Sequence, residues 1–282
     1  MVRASRRGAL GRRREGNDRV EPDLEGKVCV VTGASSGIGR RTALDLAASG
    51  ATLCVVARRR PLLESLVEEL GGAARGHSLK RCDVSSRDEV RALAEHVATT
   101  HGRCDVLVNN AGHGASTRFD AEHGIDAVTG VMATNFFGAV YCTGELLGLL
   151  ERAAPSHVVN VASIAGRIAV PGAAPYCASK FALVGWSEAL HFELAERGVH
   201  VTLIEPGLVA TEGFPKHDWA AHPLLRHALG SVEDVSRAIR ESPATPKLQR
   251  RVPRWYYVFE LARVLAPPLF RFGQRRFAPA RR

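Results

Sequence analysis

The chain has 282 residues, 45% hydrophobic and 24% charged, a balance that excludes a disordered polymer and allows one sizeable core. Its formal net charge of +9 is confined to the ends: seven Arg face two acids in residues 1–20, ten Lys or Arg face one Glu in residues 247–282, and the middle is net acidic. That distribution excludes a core that reads nucleic acid, and no stretch reaches the roughly 20 consecutive apolar residues of a membrane span.

Residues 1–22 read as a basic flexible tail that lacks the apolar run of a secretory signal, which points to a cytoplasmic protein. From Lys27 onward short β-branched runs alternate with longer helical stretches. Strands are predicted at 27–32, 52–57, 77–82, 105–109, 157–162 and 199–205, with near-continuous apolar middles such as Val28-Cys29-Val30-Val31. Helices are predicted at 38–49, 60–70, 86–101, 121–152 with a break near Thr134, 174–197 and 231–240. This is the pattern of an α/β fold, one doubly wound parallel sheet buried on both faces. One domain is expected over 23–246, followed by a basic, aromatic extension over 247–282. The six cysteines lie mostly in or beside apolar runs without metal-ligand spacing and read as reduced core residues, so no metal is expected.

The first strand runs straight into Thr32-Gly33-Ala34-Ser35-Ser36-Gly37-Ile38-Gly39 and then a helix. Glycines there let the backbone approach a pyrophosphate, and the helix N-terminus offers free N–H groups and a positive dipole end. The placement predicts a Rossmann-type dinucleotide site. The second strand ends in Ala57-Arg58-Arg59-Arg60, with no acid from Thr52 to Pro61. An acid there would hold the ribose 2′-hydroxyl of NAD, whereas Arg58 can hold a 2′-phosphate, so NADP(H) is expected; Arg59 and Arg60 can equally well just begin a helix. The third strand ends in Cys82-Asp83-Val84 and the fourth in Asn109-Asn110-Ala111-Gly112, both at the edge where such sheets bind ligand.

Tyr176 and Lys180 are four apart at the start of a helix and share a face. A free tyrosine, with a pKa of about 10, is a poor base at neutral pH; a neighbouring ammonium favours its phenolate. Ser163, at a strand end thirteen residues earlier, can hold a substrate oxygen against Tyr176, and Asn135, at the helix break, can fix a water that relays protons to Lys180.

These motifs, with Pro206-Gly207-Leu208-Val209-Ala210-Thr211, resemble the short-chain dehydrogenase/reductase family over about residues 25–212. The resemblance implies a seven-stranded Rossmann fold with Tyr176 as acid/base, Lys180 lowering its pKa and holding the nicotinamide ribose, Ser163 orienting substrate and Asn135 supporting the relay. It further implies Gly33, Ser35, Ser36, Gly37 and Ile38 at the pyrophosphate, Asp83 and Val84 at the adenine, and Asn110, Ala111 and Gly112 at the ribose. Pro206, Gly207, Val209 and Thr211 fall at the nicotinamide carboxamide, and Arg58 matches the position read as NADP preference. Family members dimerise or tetramerise through helices corresponding to about 135–152 and 174–197.

After Thr211 the chain departs from the family pattern. A seventh strand near 249–252 is weakly signalled. The run from Arg254 to Leu265 is apolar around most of a short helix, which either covers the substrate cleft or a subunit contact, or lies on a membrane with Arg at the headgroups. The expected function is interconversion of a carbonyl and an alcohol, as a reductase of a hydrophobic or lipid-like ketone or aldehyde. The alternatives are an NAD-dependent alcohol dehydrogenase and a non-catalytic NADPH-binding sensor. His113, after the Asn-Ala-Gly segment, is a candidate pocket residue or a bystander.

Overall fold

Seven strands form one sheet: β1 (Val28–Thr32), β2 (Thr52–Ala57), β3 (Ser78–Arg81), β4 (Val106–Asn109), β5 (Ser156–Val161), β6 (Val199–Pro206) and β7 (Gln249–Val252). Their order is β3-β2-β1-β4-β5-β6-β7, every pairing parallel. The helices are α1 (Gly37–Ala48), α2 (Arg60–Glu69), α3 (Arg87–His101), α4 (Gly124–Met132), α5 (Gly138–Arg152), α6 (Ala174–Ala195), α7 (Val232–Arg240), α8 (Tyr257–Leu265) and α9 (Pro267–Phe277). The structure, a computed structural model, describes residues 11–12, 21–114, 119, 122–209 and 230–277. Ahead of the sheet, Gly11–Arg12 and Glu21–Pro22 pair as a two-residue antiparallel ribbon.

Helices cover both sheet faces, and the strand sequences follow from that. Cys29 and Val31 turn toward Leu46 of α1 and Leu63 and Leu66 of α2. Val30, between them, turns to the other face, with Leu93 of α3 and Leu146 and Leu150 of α5. A strand whose alternate residues both meet helices has no polar face, hence the unbroken apolar runs. Successive strands are added to one side from β1 to β3 and to the other from β4 onward, so the crevice beyond the C-terminal ends of β1 and β4 is where such a fold binds ligand.

Four expectations are refined. The seventh strand exists and lies within the segment set apart as an extension, so the sheet runs to Val252. It was hard to read because it is a short edge strand, Gln-Arg-Arg-Val, whose only buried residue is the last. The predicted helix break is a π-turn, Ala133–Phe137, that keeps the helical run continuous from 124 to 152. Contrary to the reading of the sequence, that run is long and apolar enough to cross a membrane by length and composition. Here it packs on the sheet: Cys142, Leu146 and Leu150 are buried, and Thr143 accepts a hydrogen bond from Asn109 Nδ2 at 3.0 Å. The aromatic tail is two helices rather than one, α8 and α9, with Pro267 opening the second, as a residue without an N–H can.

His157 is buried at the N-terminal end of β5 with its ring 4.9 Å from that of His200. Burial, assisted by His200, pushes its pKa down to about 3. The unfolded chain therefore binds a proton near pH 6.5 that the folded chain refuses, and stability falls as pH drops from about 6.5 toward 3, by up to about 1.4 kcal/mol per pH unit. In denaturant titrations from pH 7.5 to 5, His157→Leu is expected to flatten this slope. Equal slopes in variant and wild type would remove His157 from the account.

Candidate active site

The glycine-rich turn between β1 and α1 is shaped by backbone demands. Gly33 holds φ at +66°, and a Cβ there would lie 2.9 Å from the Ala111 backbone. A Cβ on Gly39 would collide with the Gly33 carbonyl, so the helix and the turn can close only on glycine. Gly37 also has positive φ, and Ile38 packs partly into the core. Helices α3 and α7 are capped by Ser86 and Ser231, whose side chains accept from Glu89 N and Asp234 N. Ser36 at the start of α1 makes no such cap, and the first turn carries no acid. The leading amides of α1 are thus left for an anion, as a pyrophosphate cradle requires.

Thr32 ties this turn to the next. Its hydroxyl donates to Val108 O and accepts from the amides of Asn110 and Ala111, while Asn110 Nδ2 donates to Thr32 O at 3.0 Å. Gly112 follows, and a Cβ there would meet Asn135 Oδ1 at 3.0 Å. Val84 is buried against Gly138, so it forms part of the floor beside the third strand's end. Arg58 is exposed, with Nη1 3.7 Å from Asp83 Oδ2. Burial alone would raise the Asp83 carboxyl, but Ser85 and Arg58 together hold it below its ordinary value. Arg59 reaches across to the turn, donating to Ser35 Oγ at 3.0 Å and Ser36 Oγ at 2.8 Å. Arg60 pairs with Glu64 on the helix surface. Reading the sequence alone undervalued Arg59. The signal was two hydroxyls on the turn facing the start of α2, invisible until β1 and β2 lie side by side.

Ser163, Tyr176, Lys180 and Asn135 converge beyond the ends of β4, β5 and β6. Ser163 Oγ accepts from Ala165 N at 3.1 Å and lies 3.4 Å from Pro206 O. Its hydroxyl also hydrogen-bonds the Tyr176 phenol. Lys180 is buried, its Nζ donating to Val161 O at 2.9 Å and standing 5.7 Å from the Tyr176 ring centre. Burial pushes Tyr176 up to about 12, against the Ser163 hydrogen bond, and pushes Lys180 down to about 8. The phenol thus stands above its ordinary value, because desolvation outweighs the Ser163 hydrogen bond. A group in that state holds its proton at neutral pH and can donate it.

Asn135 sits in the π-turn with its side chain committed. Oδ1 accepts from His113 N at 2.9 Å, and Nδ2 donates to His113 O and Ser179 Oγ. Both amide protons are used, which fixes the 112–113 backbone beside Lys180 and leaves acceptor capacity on Oδ1 alone. His113 meets the site through its backbone.

Beyond Ser163 the strap Pro206–Val209 is held from two sides. Gly207 N donates to Val252 O, Gly230 N donates to Leu208 O, and Val209 bridges Gly230. The buried Tyr256 ring lies flush on Gly207, where any Cβ would fall inside it, and its hydroxyl lies 3.5 Å from Leu208 N. Thr211 and the loop expected at 213–223 lie outside the described residues. Below the strap, the fully buried Glu205 is gripped by Arg167 at 2.5 Å and Arg251 at 2.9 Å. Arg167 also pairs with Glu188, and Arg251 with Glu260 of α8. This network joins the loop after Ser163 to β7 and the C-terminal helices. The sequence gives no hint of it, because its paired members are 9 to 46 residues apart and lie outside any motif.

Residues 27–219 match the family model described as short chain dehydrogenase. The chain belongs to the short-chain dehydrogenase family, as its sheet order and the Ser163–Tyr176–Lys180 cluster lead one to expect. Among its relatives, it is 32% identical over 268 residues to 11-beta-hydroxysteroid dehydrogenase 1A of Arabidopsis thaliana, covering 90% of this chain and 76% of that one. It is 36% identical over 223 residues to the 3-oxoacyl-acyl-carrier-protein reductase of Thermotoga maritima, covering 77% and 89%. Of solved structures, an NADP active-site complex of RhlG from Pseudomonas aeruginosa superposes with a TM-score of 0.72 at 28% identity, covering 82% of this chain and 95% of that one. A short-chain dehydrogenase from Streptomyces avermitilis gives the same TM-score and identity over 89% and 96%. The chain is an oxidoreductase of the class that acts on CH–OH and C=O groups with a nicotinamide cofactor.

Proposed function

We propose that the enzyme is an NADP(H)-dependent reductase of a hydrophobic ketone or aldehyde. The observation that carries this reading is the buried cluster of Tyr176, Ser163 and Lys180 beside the glycine-rich turn. The cofactor preference is supported by Arg58 and Arg59 at the end of β2, where no carboxylate occupies the position that would take a ribose 2′-hydroxyl.

When bound, the nicotinamide supplies the hydride to the carbonyl carbon. Tyr176 Oη gives its proton to the substrate oxygen as the carbon becomes tetrahedral, and Ser163 Oγ holds that oxygen in line with the phenol. The phenolate left behind faces the Lys180 ammonium, which limits the cost of forming it in a buried place. Asn135, by clamping residues 112 and 113, keeps the wall beside Lys180 fixed. Gly33, Ser35, Ser36, Gly37 and Ile38 take the pyrophosphate side, Asp83 and Val84 the adenine, and Asn110 to Gly112 the ribose. Pro206, Gly207, Val209 and Thr211 take the carboxamide end. An apolar substrate is supported by the aromatic helix pair beside the 164–170 loop and by relatives named for hydroxysteroids and 3-oxoacyl groups. Exposed Phe137 and Phe192 on α5's entry and α6 support a homodimer or homotetramer through those helices, which sedimentation at micromolar protein decides.

The test is cofactor binding by calorimetry. Wild type is expected to bind NADPH at least tenfold more tightly than NADH. Arg58→Ala and Arg59→Ala should each cost NADPH roughly 10- to 100-fold, the about 1.5–3 kcal/mol of a charge-assisted hydrogen bond, and leave NADH nearly unchanged. Equal affinities in wild type would overturn the preference and make an NAD-dependent dehydrogenase the better reading. The preferred cofactor then serves in a screen of apolar ketones and aldehydes.

A further inference from the structure

We propose that the C-terminal helix pair α8–α9 docks this enzyme on an anionic lipid surface. Three of its polar side chains are turned to the body: Glu260 pairs with Arg251, Arg263 donates to Arg167 O, and Gln274 donates to Ala169 O. Apolar side chains stand in water instead: Val258, Leu261 and Leu265 recur every three or four residues along one side of α8, and Leu269 and Phe272, three apart, are exposed on α9. Leu265 is 76% exposed, Leu269 71% and Phe272 67%. A helix pair that only covered its own domain would bury such residues.

Charge selects the occupant. Arg254, just ahead of α8, and Arg271 and Arg275 on α9 are exposed, and residues 247–282 hold ten Lys or Arg against a single Glu. A second copy of this surface would bring like charges together around the stripe. A nucleic acid would satisfy the arginines and leave the leucines and phenylalanine in water. A bilayer with anionic headgroups satisfies both, taking the apolar stripe at the acyl boundary and the guanidinium groups at the phosphates. The docked helix pair would place the 164–170 loop against the membrane, since Arg263 and Gln274 bond directly to its carbonyls. This inference does not depend on the redox reading, because its readout is vesicle capture and NADPH binding serves only as a check on folding.

The experiment is flotation of the full chain with vesicles of phosphatidylcholine alone and with phosphatidylglycerol mixed in, at low and physiological salt. Capture by the anionic vesicles is expected to exceed capture by the neutral ones at least about tenfold, and to weaken with salt. Leu265→Glu/Leu269→Glu is expected to lose capture about tenfold with NADPH affinity kept, and Arg271→Glu/Arg275→Glu to lose the anionic preference. Equal or absent capture of wild type by both vesicles overturns the proposal without recourse to any variant. So does a wild-type oligomer that Leu265→Glu/Leu269→Glu splits, which would assign the stripe to a second copy.

Discussion

Tyr176→Phe is expected to leave NADPH binding within about threefold of wild type and to cut kcat/KM for a carbonyl substrate about a thousandfold. A positioned acid contributes about 10²–10⁴ in rate, so the loss corresponds to roughly 4 kcal/mol of transition-state stabilisation. The ring stays and keeps its packing; only the proton source goes. Ser163 cannot replace it, because its hydroxyl donates to Pro206 O and is far too weak an acid. Steady-state kinetics on the variant, with cofactor affinity measured separately, decides the matter. A residual rate within tenfold of wild type would mean that another group supplies the proton.

Glu205→Gln is expected to be the most destabilising near-isosteric change close to the site. Two guanidinium groups, each only about 15% exposed or less, close on a carboxylate with no solvent access. Breaking a buried ion pair from one side costs about 3–5 kcal/mol. Arg167 keeps Glu188 and Arg251 keeps Glu260, so the lower end applies, a fall in melting temperature of roughly 6–12 °C. A thermal melt in which the variant stays within 2 °C of wild type would show that the network adjusts without its central charge.

What the sequence disclosed follows from physical range. The first six strands and the helices that cover them were legible because a two-faced core imposes its pattern locally, and the glycine turn because steric demand at Gly33 and Gly39 leaves no other residue. Ser163, Tyr176 and Lys180 were legible through spacing on one strand end and one helix face. Their electrostatic state was not: that Tyr176 lies above its ordinary pKa depends on how much protein surrounds the phenol. The partners of Arg59, Thr32, Glu205 and Tyr256 were not legible for a related reason. Each works through a partner on a different element, and residues such as Tyr256 and Gly207, 49 positions apart, acquire meaning only once both are in place. The edge strand β7 was faint because an arginine-rich strand lacks apolar alternation unless a buried carboxylate is waiting for it.

The seating of Tyr256 on Gly207 also fixes an order of events during synthesis. The groups placed for proton transfer all lie before residue 181, yet the strap that walls one side of their pocket lacks its aromatic seat until the chain has been made to Tyr256. A ribosome-bound chain can therefore assemble its first six strands and still present an unfinished pocket. The active site is in this sense finished only well after its last proton-transfer residue has been made.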